Sequence, residues 1–348
     1  MKKLYFNIHD KIQLTWKNPL WSIVPDFAVK YGYFQQAEFN ENCITSIEIN
    51  SGKPPEKILK TIKCSAERFG YGDDIIQSEH IHGRMRWTVW IKGLNSANVT
   101  VWYDFPFFRR FQWPWIMFPD HLIGLHIVEP VLEYKFSQLG IHILHSAALA
   151  NHNGDGILIS GRGGVGKTTY MMKLLRQGWK YLSDDLVLCS GHKLYAYPLC
   201  ASFFDYFYRF EQDETIKSSS MIGALKHVRK RQPISFSVAD SAEVKVINLL
   251  IASNSDQSKI IYDGKVGEDV VDRMLAVDKL ERLNFTDIEE LYGRFMIQLD
   301  QVFGSNVWES YWDSHKQNLA TFKNLPCRII EVGKQMDAGL LRLAACPL

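Results

Sequence analysis

The stretch Gly156-Ile157-Leu158-Ile159-Ser160-Gly161-Arg162-Gly163-Gly164-Val165-Gly166-Lys167-Thr168-Thr169 decides how this chain is read. Its first part is an apolar run of strand character, and Thr169 to Arg176 after it has helical character, so Gly161 to Thr168 occupies a strand-to-helix turn. The turn fits the pattern G-x-x-x-x-G-K-[ST] in full. Glycines let backbone N–H groups converge on phosphate oxygens, and the new helix points the positive end of its dipole at the same charge. In this pattern the lysine, here Lys167, reaches the β and γ phosphates, and the Thr168 hydroxyl is placed for Mg²⁺. The candidate binding residues are therefore Gly161, Arg162, Gly163, Gly164, Val165, Gly166, Lys167, Thr168 and Thr169. ATP or another nucleoside triphosphate, with Mg²⁺, is the implied cofactor pair.

Seventeen and eighteen positions beyond Lys167 stand Asp184 and Asp185, between Trp179-Lys180-Tyr181-Leu182 and Leu186-Val187-Leu188. Two adjacent acids at a strand end are costly unless a cation or a proton donor lies near. Strand alternation sends them to opposite sides, and so to separate tasks. One task is the metal shell, for which Asp185 joins Thr168 as a candidate; the other is taking the proton of an attacking hydroxyl, open to either aspartate.

Upstream, Ile141 to Leu149 is predicted as a strand and Asn151-His152-Asn153-Gly154-Asp155 as a polar turn. Between Asp120 and Gly140, the residues Leu122, Ile123, Ile127, Val131, Leu132 and Tyr134 recur at helical spacing, with Pro130 as a kink and Gly140 as the stop. Residues 1 to 118 are strand-rich, and Arg84 to Lys92, Gly93-Leu94-Asn95 and Asn98 to Tyr103 read as a β-hairpin. Asp104 to Pro119 combines three prolines with seven aromatics, the composition of a packed connector or of an exposed aromatic patch for a partner. Downstream, Val270 to Leu283 and Asp287 to Val302 are expected as helices, Cys327 to Val332 as a strand, and a last helix from Met336; Asn254 to Glu268 reads as loop and hairpin. Two domains follow: a strand-rich α+β domain over 1–118, a candidate for substrate recognition, and an α/β nucleotide-binding domain over 119–348.

His145-Ser146-Ala147-Ala148, the glycine-rich loop, and Gly178-Trp179-Lys180-Tyr181-Leu182-Ser183-Asp184-Asp185 together resemble the C-terminal kinase domain of bacterial HPr kinase/phosphorylases and their relatives. Those relatives include serine kinases encoded beside ribosomally made peptides such as lasso peptides. The likeness runs over residues 120 to 200, and Cys327-Arg328-Ile329-Ile330-Glu331-Val332-Gly333 is similar to the closing strand of these proteins. The resemblance implies an α/β P-loop kinase domain in which His145 stands beside the γ-phosphate, Lys167 and Thr168 serve nucleotide and metal, and Asp184 or Asp185 is the base. It also implies a serine hydroxyl of a precursor peptide as acceptor. The chain departs from HPr kinases at Ala201-Ser202-Phe203-Phe204-Asp205-Tyr206-Phe207-Tyr208, where their glycine-rich signature with its glutamate metal ligand has no counterpart. That argues against HPr itself as acceptor and against reverse phosphorolysis. The HPr kinases are hexamers, which leaves a homo-oligomer as an open expectation.

With 46% hydrophobic and 22% charged residues among 348, the chain can bury a sizeable core. A net charge of +2 is too small for a whole-surface nucleic-acid binder, and no apolar run is long enough to span a membrane, so neither partner is expected. Asn7, His9 and Asp10 interrupt the run that a secretory signal would keep apolar, and the six cysteines lack CxxC or metal-ligand spacing. A cytoplasmic protein with reduced thiols is the expectation. Lys226-His227-Val228-Arg229-Lys230-Arg231 reads equally as a phosphate or acidic-peptide contact and as a solvated helix end. The leading expectation is a serine kinase acting on a peptide or small protein; a kinase of a small hydroxylated metabolite and a non-catalytic nucleotide-sensing module are the alternatives. A signalling GTPase is not expected, as there is no Asn-Lys-x-Asp motif.

Overall fold

Between Asn98 and Asp104 every second side chain is buried, Val99, Val101 and Tyr103, as a strand with one face on a core requires. The computed structural model describes residues 3–17, 30–66, 69–72, 74–82, 85–104, 128–199, 201–210, 221–229, 233–284, 299–300, 304 and 306–334. The aromatic and proline segment 105–119, the start of the helix expected from Asp120, most of the one expected over 287–302 and the one expected from Met336 lie outside these residues. The architecture is mixed α/β, with two large mixed sheets and seven α-helices among the described residues. The chain divides into two units, Met1–Lys135 with Arg294–Ser305, and Phe136–Gly293 with Asn306–Leu348. The division falls after Lys135, whereas the composition shift places a boundary after residue 118.

Among its described residues the first unit has nine strands: β1 (Lys3–Ile8), β2 (Ile12–Lys17), β3 (Gln35–Gln36), β4 (Thr45–Ser51), β5 (Lys63–Ala66), β6 (Phe69–Tyr71), β7 (Ile75–His82), β8 (Met85–Lys92) and β9 (Asn98–Asp104). Their order is β3-β1-β2-β4-β9-β8-β7-β6-β5. A short helix α1 (Glu56–Leu59) lies between β4 and β5. The β8–β9 hairpin forms as read from the sequence, with Trp90 opposite Trp102 across the antiparallel pair. β4 is parallel to both β2 and β9, and its Ile47 and Ile49 join Phe6, Leu14, Val99 and Val101 in the core.

Helix α2 (Glu129–Gln138) follows. Pro130 lies in the first turn of the described helix, and the residues before Val128, on which a kink there would depend, lie outside the described ones. The second unit then contributes β10 (His142–Ala150), β11 (Asp155–Ser160), α3 (Lys167–Leu175), β12 (Lys180–Ser183), β13 (Leu186–Ser190), β14 (Lys193–Tyr195), α4 (Ala201–Phe210), α5 (Met221–Arg229), β15 (Ser241–Ala252), β16 (Lys259–Lys265), α6 (Glu268–Asn284), α7 (Val307–Ala320) and β17 (Pro326–Val332). The pairings run β11-β10-β13-β14-β15 and return to β11, while β17 and β16 extend the sheet from β15 and β12 pairs with β10. β15 is parallel to β11 and to β17, so the strand that leads into the glycine-rich loop lies beside the one strand that is parallel to two neighbours in this sheet.

Sequence reading did not single out β15. Ala242, Val244 and Val246 alternate, but from Val246 to Leu250 the strand is buried continuously, which hides the two-residue period. β16 lies within Asn254 to Glu268, the stretch expected as loop and hairpin; its residues are largely exposed and carry Lys259, Asp263 and Lys265, the composition of a charged sheet edge.

Helix α3 buries Tyr170, Met171, Leu174 and Leu175 among Ile157, Ile159, Val246, Leu250 and Ile330, which fixes its start on the sheet. Leu174 is fully buried there. Leu174→Ala should lower unfolding free energy by about 2–5 kcal/mol, read from urea unfolding. The exposed Gln177, just past the helix, should tolerate alanine with little change in midpoint.

Candidate functional site

The chain leaves β11 at Ser160 and enters α3 at Lys167. Two glycines make so short a turn feasible. A methyl group on Gly161 would stand 2.8 Å from the Leu250 carbonyl oxygen and 2.9 Å from Val165 Cγ1, so the loop is seated directly on β15. Gly166, at φ +100°, takes up the left-handed region just before the helix, and its carbonyl accepts the Tyr170 N–H at 3.0 Å.

Lys167 folds back over this loop. Its Nζ donates to the carbonyls of Gly161 at 2.6 Å and Arg162 at 3.3 Å, and the residue is only 6% exposed. Burial pushes its pKa below the usual lysine value, while Asp185, Glu281, Asp278 and Asp184 pull in the opposite direction. Thr168 and Thr169, in the first turn of α3, are exposed.

The two aspartates after β12 separate into different surroundings. Asp184 Oδ1 accepts the Tyr181 hydroxyl at 2.5 Å. Desolvation pushes the Asp184 carboxyl from its ordinary 3.8 up to about 6, with the Tyr181 hydrogen bond opposing. Asp185 is exposed, and its Oδ1 lies 3.4 Å from Nε2 of His145 on β10. Burial holds the His145 pKa below its ordinary 6.5, against the pull of Asp185, so the ring is mostly neutral at pH 7.

Two acids of α6 that sequence reasoning left inside an amphipathic helix complete the group. Glu281, buried, accepts the Gly163 N–H on Oε1 at 2.8 Å, and Arg162 Nε lies 3.9 Å from the same oxygen. Its Oε2 is 3.7 Å from His145 Nε2, and both of these buried atoms lack a hydrogen-bond partner. Asp278 Oδ1 accepts the backbone N–H of His145 at 2.9 Å, and its Oδ2 lies 2.7 Å from Nε2 of His315 on α7. β10, α6 and α7 are thereby tied together at His145. A signal for both acids existed: Asp278 and Glu281 prolong the buried stripe of Val271, Met274 and Leu275, putting carboxylates where helical spacing points inward.

The donor set fits a phosphate chain. Gly163 N–H already holds a carboxylate oxygen, so at least one loop amide is directed at an oxyanion. For Mg²⁺, Thr168 and Asp184 line one pocket and offer the oxygen donors such a hard cation takes alongside water and phosphate. Among the described residues, no three His, Cys, Asp or Glu side chains cluster to hold a metal by themselves. That pocket, of about 340 Å³, is bounded by Thr168, Thr169 and Met172 of α3 and by Asp184. Phe203, Phe204 and Phe207 of α4 complete it.

Of the basic cluster, His227 Nε2 lies 3.0 Å from Oδ2 of the fully buried Asp205, which also accepts Arg209 Nε at 2.7 Å and the Ser235 N–H at 2.7 Å. His227 therefore serves the packing of α4 and α5. Lys230 and Arg231 lie outside the described residues. No helix among the described residues is long and apolar enough to cross a membrane. No protein-family model matches the chain, and no curated protein matches it significantly.

The raised Asp184 pKa has a consequence for stability. A carboxyl that holds its proton more tightly when folded stabilises the fold below pH 3.8 and loses that contribution as pH rises through about 6. Asp184→Asn should therefore gain on the parent protein in unfolding free energy between pH 3.8 and about 6, measured by urea unfolding across that window. A constant difference between the two would contradict the placement of Asp184.

Proposed function

We propose that the chain is an ATP- and Mg²⁺-dependent kinase of the P-loop type that HPr kinase/phosphorylases represent, transferring a phosphoryl group to a serine hydroxyl of a peptide or small protein. The observation that carries this reading is the grouping around Lys167. His145 and Asp185 stand together within 3.4 Å, and Thr168 and Asp184 share a pocket. The likeness to peptide-modifying serine kinases supports the choice of acceptor.

Bound nucleotide and Mg²⁺ would supply an electrophilic γ-phosphoryl group and a divalent charge that offsets its oxygens. Lys167, now held by two loop carbonyls, supplies a fixed cation to that phosphate chain. The Gly163 N–H becomes available once the Glu281 carboxylate moves off it. Thr168 and Asp184 would hold the metal. Asp185, exposed beside a neutral imidazole, would take the proton of the serine hydroxyl as its oxygen bonds to the γ-phosphorus and the bond from that phosphorus to the departing ADP breaks, and His145 Nε2 is placed to receive the proton in turn. This division gives the metal side to Asp184 and the proton to Asp185.

Incubating the full chain with ATP, Mg²⁺ and peptides carrying internal or C-terminal serines should yield phosphopeptide by mass spectrometry. Free serine and sugars in parallel test the small-metabolite reading. Asp185→Asn should lower kcat by about 10²- to 10⁴-fold while nucleotide affinity stays within about three-fold. Full activity in that variant would remove Asp185 as the base, and the absence of phosphorylated product with every acceptor would remove the kinase reading.

A further inference from the structure

We propose that the aromatic pocket formed by α3 and α4 is the nucleoside subsite, with Phe203 and Phe207 packing against the base of the bound nucleotide, one by its face and the other by its edge, a placement that rests on the phosphate-loop reading above. The direction of the phosphate chain leads to it. In a loop of this pattern the lysine serves the β and γ phosphates, and the backbone amides cradle the α and β phosphates. Lys167 Nζ lies at the beginning of the loop, against the Gly161 and Arg162 carbonyls, and Glu281 meets the loop at Gly163. The outer phosphate belongs at that end, beside His145 and Asp185. The nucleoside must then depart at the other end, past Thr168 and Thr169, and both of these residues line the pocket.

The walls suit a flat heterocycle. Phe203 and Phe207 are one helical turn apart on α4, with ring centroids 5.4 Å apart and planes at 61°, and both are half-buried, leaving ring surface to cover. Phe204 and Met172 are buried within the hydrophobic cluster beneath the loop, which holds the pocket in shape before any ligand arrives. A volume of about 340 Å³ is of the size that small ligands occupy. An apolar side chain of the acceptor is the competing occupant. Asp184 also lines the pocket, on the side where the metal and phosphates would meet it, whereas the pair placed to take the acceptor proton, Asp185 with His145, does not, and that separation favours the base.

The test compares two ligands with the same phosphate chain, ATP and inorganic tripolyphosphate, each with Mg²⁺, titrated calorimetrically into the full chain. Parent protein should bind ATP more tightly than tripolyphosphate. Phe203→Leu and Phe207→Leu, which keep apolar volume without a ring, should weaken ATP binding, with a loss of roughly ten-fold for the double variant, and leave tripolyphosphate affinity unchanged. Phe207→Trp should restore ATP affinity to the Phe207→Leu protein's parental level. If tripolyphosphate binds the parent but the leucine variants bind ATP as the parent does, the nucleoside subsite is overturned and the phosphate loop stands. Variants that raise only the KM for a peptide acceptor, with ATP affinity intact, would assign the pocket to the acceptor and overturn the proposal. If the parent binds neither ligand, the phosphate-loop reading fails and the subsite fails with it.

Discussion

A buried ammonium group governs the second unit of this protein. Lys167 is nearly removed from water, and two carbonyls of its own loop hold its Nζ. Burying a lone cation is strongly unfavourable, and the acids whose charges pull against that burial are Asp185, Glu281, Asp278 and Asp184. They come from two distant lengths of chain: the aspartate pair follows β12, and the other two lie on α6. The charge on Lys167 thus draws together segments that no short-range pattern connects.

The polar groups of the loop are partnered within the chain. Glu281 takes the Gly163 N–H that a phosphate oxygen would use, and Lys167 takes the carbonyls of Gly161 and Arg162. An anionic ligand must displace a carboxylate that is already in place, so its net affinity is the difference between two favourable interactions. The two orphaned atoms, His145 Nε2 and Glu281 Oε2, lie 3.7 Å apart beside the same loop and are the polar groups that a ligand there would satisfy. Asp278 holds the His145 backbone through its own carboxylate, which ties α6 to the strand that carries His145.

How much of this was legible in the sequence depends on how local its causes are. The loop, β11 and the helix after it follow from residues within a few positions of one another, and glycine spacing with Lys167 and Thr168 announces them. Strand alternation predicts that Asp184 and Asp185 separate, but both lie in the bend between β12 and β13, so it is the turn of the chain there that gives them different surroundings. The roles of Asp278 and Glu281 could not be read in that way, because their partners lie more than 100 residues away and only the inward position of two acids on α6 marks them. β15 escaped for a related reason: it is parallel to neighbours on both sides, so continuous burial replaces alternation. The α4 segment, notable in sequence only for lacking glycines, turns out to supply aromatic walls to the pocket beside Thr168.

The most direct measurement is a calorimetric titration of Mg·ATP into the parent chain and into Lys167→Met, which keeps the apolar stem and removes the charge. Saturable one-to-one binding by the parent, weakened at least about ten-fold in the variant, is expected if the ammonium and its loop hold a phosphate chain. Equal affinity in the two proteins, or no binding by the parent, would contradict that claim.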